Sequence, residues 1–158
     1  MKVRDAIPSD FIKISELFEQ VDELHREAHP NIFINPNQTA RSNEFLNTVL
    51  QDDRKRLIVA IENNEVIGLA KADIRSSPDI PLYKNREWLS IGTIVVDKNY
   101  RGKGIGKILL EKLYEWAKIH KVDEVELTVF SFNESAIKFY NKNGFNDVSR
   151  RMCNRISK

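Results

Sequence analysis

Residues 99–110, NYRGKGIGKILL, set three glycines and three positive charges directly in front of an aliphatic run. Glycine suits a backbone that must lie against a ligand without an intervening Cβ, or that must enter positive φ. Arg101, Lys103 and Lys107 surround Gly102, Gly104, Ile105 and Gly106 with charge, so the chemistry indicated is the binding of an anion. Spacing excludes two familiar phosphate loops. A G-x-x-x-x-G-K-[ST] loop needs four residues between its glycines and a hydroxyl for magnesium, whereas Gly102 and Gly106 enclose three and Ile108 follows Lys107. A dinucleotide fingerprint needs two residues between its last glycines, and Gly104 and Gly106 flank Ile105 alone. What remains is Arg101-x-x-Gly104-x-Gly106 between a strand and a helix N-terminus, where unpaired N–H groups and the helix dipole favour an anion. Taken alone, the glycines are better explained as a strand-to-helix turn flanked by solvated lysines. A second motif shifts that balance.

The stretch NESAIKFYNKNGF, residues 133–145, reads as a short helix with Asn133 or Glu134 at its start and Gly144 as its C-terminal cap. In that order and spacing, the two stretches resemble the motifs of the GNAT superfamily of N-acetyltransferases. IVVDKNYRGKGIGKILLEKL is similar to the family's pyrophosphate-binding motif, with Arg101, Gly104 and Gly106 in register. The later stretch is similar to its second motif, with Asn133, Ala136, Tyr140, Gly144 and Phe145 in place.

The resemblance implies a fold and a donor. The fold is α/β with a mixed, mostly antiparallel sheet splayed between two strands and helices on both faces, in one domain over residues 1–158. The donor is acetyl-CoA as co-substrate, without a metal. It would lie where strand 87–97 parts from strand 123–130, with the backbone of Ile94, Val95 and Val96 beside the pantetheine and the N–H groups of 101–106 on the pyrophosphate. Tyr140 corresponds to the family tyrosine that donates a proton to, or hydrogen-bonds, the sulfur. Its ordinary pKa of about 10 against about 8.5 for a thiol allows this at neutral pH. Asn133 would contact the cofactor or hold the loop, although a plain helix cap accounts for it as well.

Acetyl transfer to an amine needs a neutral nucleophile, a stabilised oxyanion and a protonated leaving group. A general base is where the carry-over stops. Relatives that acetylate ribosomal protein N-termini have a glutamate where this chain has Thr128, and others have an acid midway along the strand where it has Gly92 and Thr93. Glu87 and Asp73 could act through water, but each is better read as a surface carboxylate, and the amine could arrive deprotonated.

These motifs need elements to hold them. Residues 2–6 read as an opening strand. Phe11, Ile14, Leu17, Phe18, Val21 and Leu24 recur at helical spacing behind a Ser9 cap and end near Ala28, since Pro30 restricts His29. Residues 39–50 offer a second helix capped by Thr39. RLIVAIENNEVIGLAKADI reads as a hairpin with Asn63 and Asn64 at its tip, and residues 75–87 as a surface loop. Strand 87–97 feeds the glycine loop and a helix from about Gly104 to Lys118. A strand over 123–131, the short helix and a closing strand in FNDVSRRMCNRI complete the order β-α-α-β-β-β-α-β-α-β.

Acceptor recognition falls to residues 9–50 and 75–87, the segments that would cover the open side. In LHREAHPNIF, His25 and His29 lack the His-Glu-x-x-His order and a third ligand, so packing or substrate contact is favoured over zinc. The pattern resembles bacterial small-amine and aminoglycoside acetyltransferases.

Composition agrees with one globular domain: 158 residues, 41% hydrophobic and 30% charged. A formal charge of +2 gives no argument for nucleic acid or an anionic membrane. The single cysteine, Cys153, precludes an internal disulfide, fits a reducing compartment and lies beyond both motifs. No apolar leader or membrane-length run is seen in the sequence, which points to the cytoplasm. The expected partner is a small-molecule or peptide amine, with no nucleic acid and no membrane, and a homodimer is left open. A catalytically weak acyl-CoA-binding regulatory module is the alternative. RNA binding through SRRMCNRISK has little support without interleaved aromatics.

Overall fold

The computed structural model describes residues 1–36, 41–154 and 156. The chain divides into two compact units, Met1–Thr128 and Val129–Lys158.

The first unit holds β1 (Lys2–Asp5), α1 (Phe11–Ala28), α2 (Asn43–Leu50), β2 (Lys55–Glu62), β3 (Glu65–Ser76), β4 (Glu87–Val96), α3 (Ile105–Ile119) and β5 (Val125–Leu127). The strands form one sheet in sequence order. The first three pairings are antiparallel and β4–β5 is parallel, the mixed sheet that the sequence indicates. Asn63 and Asn64 turn the β2–β3 hairpin with φ of 50° and 64°, the two positive values that a tight twisted hairpin requires and that asparagine tolerates.

Each face of the sheet is closed by the helical stripes read from the sequence. On one face, Phe11, Ile14, Leu17 and Phe18 of α1 and Leu46 and Val49 of α2 bury against Leu57, Val59, Leu69 and Val95. On the other, α3 seats Ile105, Leu109, Leu110 and Leu113, all nearly inaccessible. Each such side chain contributes about 1.5–3 kcal/mol when removed from water. Gly68 allows the α3 contact: a Cβ there would meet the Val95 carbonyl oxygen at 3.0 Å and Leu109 Cδ1 at 3.4 Å.

One irregularity sets up the site. Lys71 pairs with Thr93 but Ala72 pairs with Ile91, so Gly92 is an extra residue in β4, a bulge that re-aims a strand. Pairing of β4 with β5 covers Leu89–Ile91 and Val125–Leu127. Beyond Ile91 the outer edge of β4 therefore has no β5 partner.

Several boundaries differ from the sequence reading. A 3-10 turn, Pro8–Asp10, precedes α1, and Asp10 rather than Ser9 organises it. The Asp10 carboxylate accepts from the Ile7 N–H at 2.9 Å and from both Arg4 guanidinium nitrogens at 2.7 and 3.0 Å. Burial works against ionisation of Asp10, but Arg4 and Ile7 outweigh it and hold the carboxyl below its usual range. Thr39 lies outside the described residues; α2 is capped by Ser42, whose hydroxyl accepts from the Phe45 N–H at 3.2 Å. The strand expected over 123–131 is reduced to Val125–Leu127.

The second unit contains α4 (Glu134–Lys142). Gly144 follows it with φ +91°, the left-handed position that ends many helices. No closing strand is present among the described residues after it. Asp147, Arg150 and Arg151 interrupt the alternation there, and Val148, Met152 and Ile156 are 91%, 85% and 96% exposed, so the segment buries no apolar face.

Candidate functional site

The loop between β4 and α3 is anchored at its first residue. Asp97, buried at the end of β4, accepts from the Asn99 N–H at 3.0 Å and from Gln20 Nε2 at 3.1 Å, while Gln20 Oε1 accepts from the Lys98 N–H at 3.2 Å. The Asn99 N–H, aided by Gln20 and opposed by burial, holds the Asp97 carboxyl below its usual range. Sequence reasoning singled out neither residue. Asp97 carried a usable signal, since aspartate bonding two residues ahead is an Asx turn. Gln20, on α1, carried none.

Past the turn Lys98–Tyr100, Arg101 folds back and donates from Nε to the Val96 carbonyl at 3.1 Å. Gly102 and Gly104 both have φ +79°, a region costing a residue with a side chain about 1–2 kcal/mol. A Cβ at either would meet nothing within 4 Å, so the glycines answer a conformational need and leave clear space before the backbone. Gly104 is the N-cap of α3 and offers no side-chain cap. Among the described residues, the N–H groups of 101–106 meet no protein acceptor. Ile105 is buried in the core, which fixes the start of the helix. Lys103 Nζ lies 4.8 Å from the Tyr100 ring centroid. Lys107 lies 3.8 Å from Glu111. This is a donor-rich, positively charged cradle.

The strand residues divide by parity. The Asp97 N–H donates to Ile67 on β3, so in an antiparallel ladder the backbone of Val95 also faces β3 and that of Ile94 and Val96 faces the open edge. Arg101 meeting the Val96 carbonyl agrees with this. Val95 contributes its side chain to the core, leaving Ile94 and Val96 to offer main-chain bonds outward.

Asn133 and Tyr140 belong to the second unit. Asn133 Oδ1 accepts from the Ala136 N–H at 3.1 Å and from Ser135 Oγ at 3.0 Å, capping α4. The half-buried Tyr140 ring packs edge-on to Phe139 and Phe145, with centroids 5.1 and 5.4 Å away. Cys153 is exposed in the segment after α4.

Both carboxylates weighed as bases are engaged. Arg54 and Ser76 bond Glu87 at 2.8 and 3.0 Å, Arg54 foremost, and hold it below its usual range. Asp73 meets Lys71 at 3.0 Å and Arg75 at 3.5 Å. His25 Nδ1 lies 2.7 Å from the Val21 carbonyl, and its ring packs edge-on to Phe33.

A glycine cradle of free N–H groups at the end of a strand whose outer edge is open fits the pyrophosphate of an acyl-CoA. Residues 18–145 match the acetyltransferase (GNAT) family. The chain belongs to this family. It is 28% identical over 135 residues to the L-amino acid N-acetyltransferase AaaT of Escherichia coli, covering 81% of this chain and 76% of that one. A probable spermine N(1)-acetyltransferase of Bacillus subtilis subsp. natto is 32% identical over 82 residues, 51% of this chain and 53% of that one. Among solved structures, a mutant form of the BH1408 protein from Bacillus halodurans superposes with a TM-score of 0.94 at 25% identity, covering 99% of this chain and 100% of that one. The aminoglycoside N-acetyltransferase AAC(6')-Iy, solved with CoA, shares the fold with a TM-score of 0.73 at 18% identity, covering 99% and 100%. This GNAT protein is therefore an N-acetyltransferase in class, and its family implies acetyl-CoA as acyl donor.

Proposed function

We propose that residues 1–158 form one acetyl-CoA-dependent enzyme of the cytoplasm that acetylates a primary amine of a small molecule or peptide by direct transfer in a ternary complex. The observation that carries this reading is the pair of positive-φ glycines, Gly102 and Gly104, opening a loop of unpaired N–H groups at the end of β4. When bound, acetyl-CoA supplies an acetyl group activated as a thioester.

The chain's own residues then have separate tasks. The N–H groups of 101–106 orient the pyrophosphate, and the guanidinium of Arg101, with Lys103 and Lys107, adds charge. Ile94 and Val96 present N–H and C=O groups along the open edge of β4, in the manner of a neighbouring strand. The Tyr140 hydroxyl holds the proton that passes to the departing sulfur. Asn133 starts the helix that carries Tyr140. With Glu87 and Asp73 occupied by cations, the acceptor enters as the neutral amine. Cys153 lies outside both motifs, and direct transfer makes no use of it.

The relatives acting on L-amino acids and on spermine share an amine acceptor, and that class is assigned here. The test is acetyl transfer by purified protein across an amine panel, read by mass shift, with Tyr140→Phe as control. Acetyl-CoA binding without any transfer would favour an acyl-CoA-binding regulatory module instead.

A further inference from the structure

Lys71 and Asp73 share one face of β3, with Nζ and Oδ1 3.0 Å apart and each side chain only 17% exposed. Thr93 and Ser90 stand directly opposite them on β4, and directly opposed residues share a face. Two residues along that face, Leu69 and Val95 belong to the apolar core, so the pair marks where the core ends. It also borders the bulge: Lys71 Nζ lies 3.7 Å from where a side chain on Gly92 would begin. At Ile91, the residue before, β4 and β5 cease to pair. An ion pair this far from water adds little stability over two apolar side chains.

Resting on the acetyl-transfer site proposed above, we infer that Lys71 and Asp73 select the acceptor, and that the acceptor is an amine bearing a carboxylate, an α-amino acid in class. Such a molecule carries an amine and a carboxylate side by side, the complement of the Asp73 carboxylate and the Lys71 ammonium. Lys71 takes the acceptor's carboxylate, and Asp73 accepts a hydrogen bond from its amine and so orients the nitrogen. Arg75, 3.5 Å from Asp73 and more exposed, gives the trio one surplus positive charge. That surplus favours a carboxylate and opposes a polyamine, whose several ammonium groups would meet two cations. Glu126, opposite Ser90 in the next row, is engaged by Arg86.

The experiment is steady-state acetylation of free α-amino acids, their amides, the corresponding decarboxylated amines and spermine, at saturating acetyl-CoA. The wild-type enzyme should favour the free acid over its amide by about tenfold or more in kcat/KM, as expected for one charged hydrogen bond. Lys71→Met should erase that preference, raising KM for the free acid by about tenfold or more and KM for the decarboxylated amine far less. Equal or better use of the amide or spermine by the wild type, which needs no variant to fold, overturns the assignment. So does a Lys71→Met enzyme whose kcat falls alike on every acceptor. If acetyl-CoA binds and no amine is acetylated, the acetyl-transfer reading itself fails and the assignment falls with it.

Discussion

Alanine at Gly104 and at Gly106 should move stability in opposite directions and donor affinity in the same one. Gly104 sits at φ +79°, ψ 0°. Alanine there incurs about 1–2 kcal/mol of left-handed strain, offset by about 0.4–1 kcal/mol from the less flexible unfolded chain. The added methyl meets nothing within 4 Å, so no clash enters, and a net loss of about 1 kcal/mol lowers Tm by about 2–4 °C in a chain of this size. Gly106 lies in the first turn of α3 and is not among the positive-φ glycines. Alanine there gains about 0.5–1 kcal/mol of helix preference, and Tm rises. If the loop holds the pyrophosphate, either methyl crowds its N–H donors and weakens acetyl-CoA by about tenfold or more. Thermal melts with and without acetyl-CoA read both effects, because ligand in excess raises stability by RT ln(1 + [L]/Kd). A Gly106→Ala protein that melts higher yet binds acetyl-CoA as tightly as wild type would refute the placement of the anion. A Gly104→Ala protein with an unchanged Tm would refute the strain.

Tyr140→Phe should lower kcat about 100-fold, in the range for loss of a general acid, while Tm holds because the ring contacts with Phe139 and Phe145 survive; stopped thiol-release assays and melts would check it. Gly68→Ala places a methyl 3.0 Å from the Val95 carbonyl oxygen, a backbone atom unable to yield, and should cost about 1–3 kcal/mol by urea denaturation. The carboxyls of Asp10 and Asp97 sit below their ordinary range in the folded protein. The stability they contribute is therefore fully present above the unfolded pKa of about 3.9 and is lost as pH falls through the lower folded values. Urea midpoints taken from about pH 6 to pH 3 should fall less steeply for Asp10→Asn combined with Asp97→Asn than for wild type.

The periodic elements were legible because apolar spacing reports burial directly: the stripe of α1 from Phe11 to Val21, the hairpin around Asn63 and Asn64, and the helix behind the glycines appear at the expected places, while Leu24, read as the end of that stripe, is exposed. The glycine loop was legible because its conformational demand is local, and Gly102 and Gly104 do adopt positive φ. Ser9 misled because a serine before an apolar run is a generic cap signal, whereas the preference for Asp10 comes from Arg4 on a neighbouring strand. Gly92 was visible only as the place where some relatives carry an acid. Its role as the extra residue of β4 depends on register with β3, which no property of β4 alone encodes. The Lys71–Asp73 pair was likewise hidden, since its meaning lies in what stands opposite on β4. The closing strand was an over-reading of a few apolar residues set among charges.

Gln20 bonds both the Asp97 carboxylate and the Lys98 N–H, across 77 and 78 residues of chain. The cradle that looks like a self-contained dozen residues is thus completed by a helix formed much earlier in the sequence. A strand-loop-helix segment cut from residues 87–119 would keep every glycine and lose the clamp that sets the loop's first turn. Such a distant closure is entropically expensive until the sheet has assembled. The donor cradle should accordingly be among the last parts of the first unit to take shape, and grafting its motif onto another scaffold would require carrying a glutamine along with it.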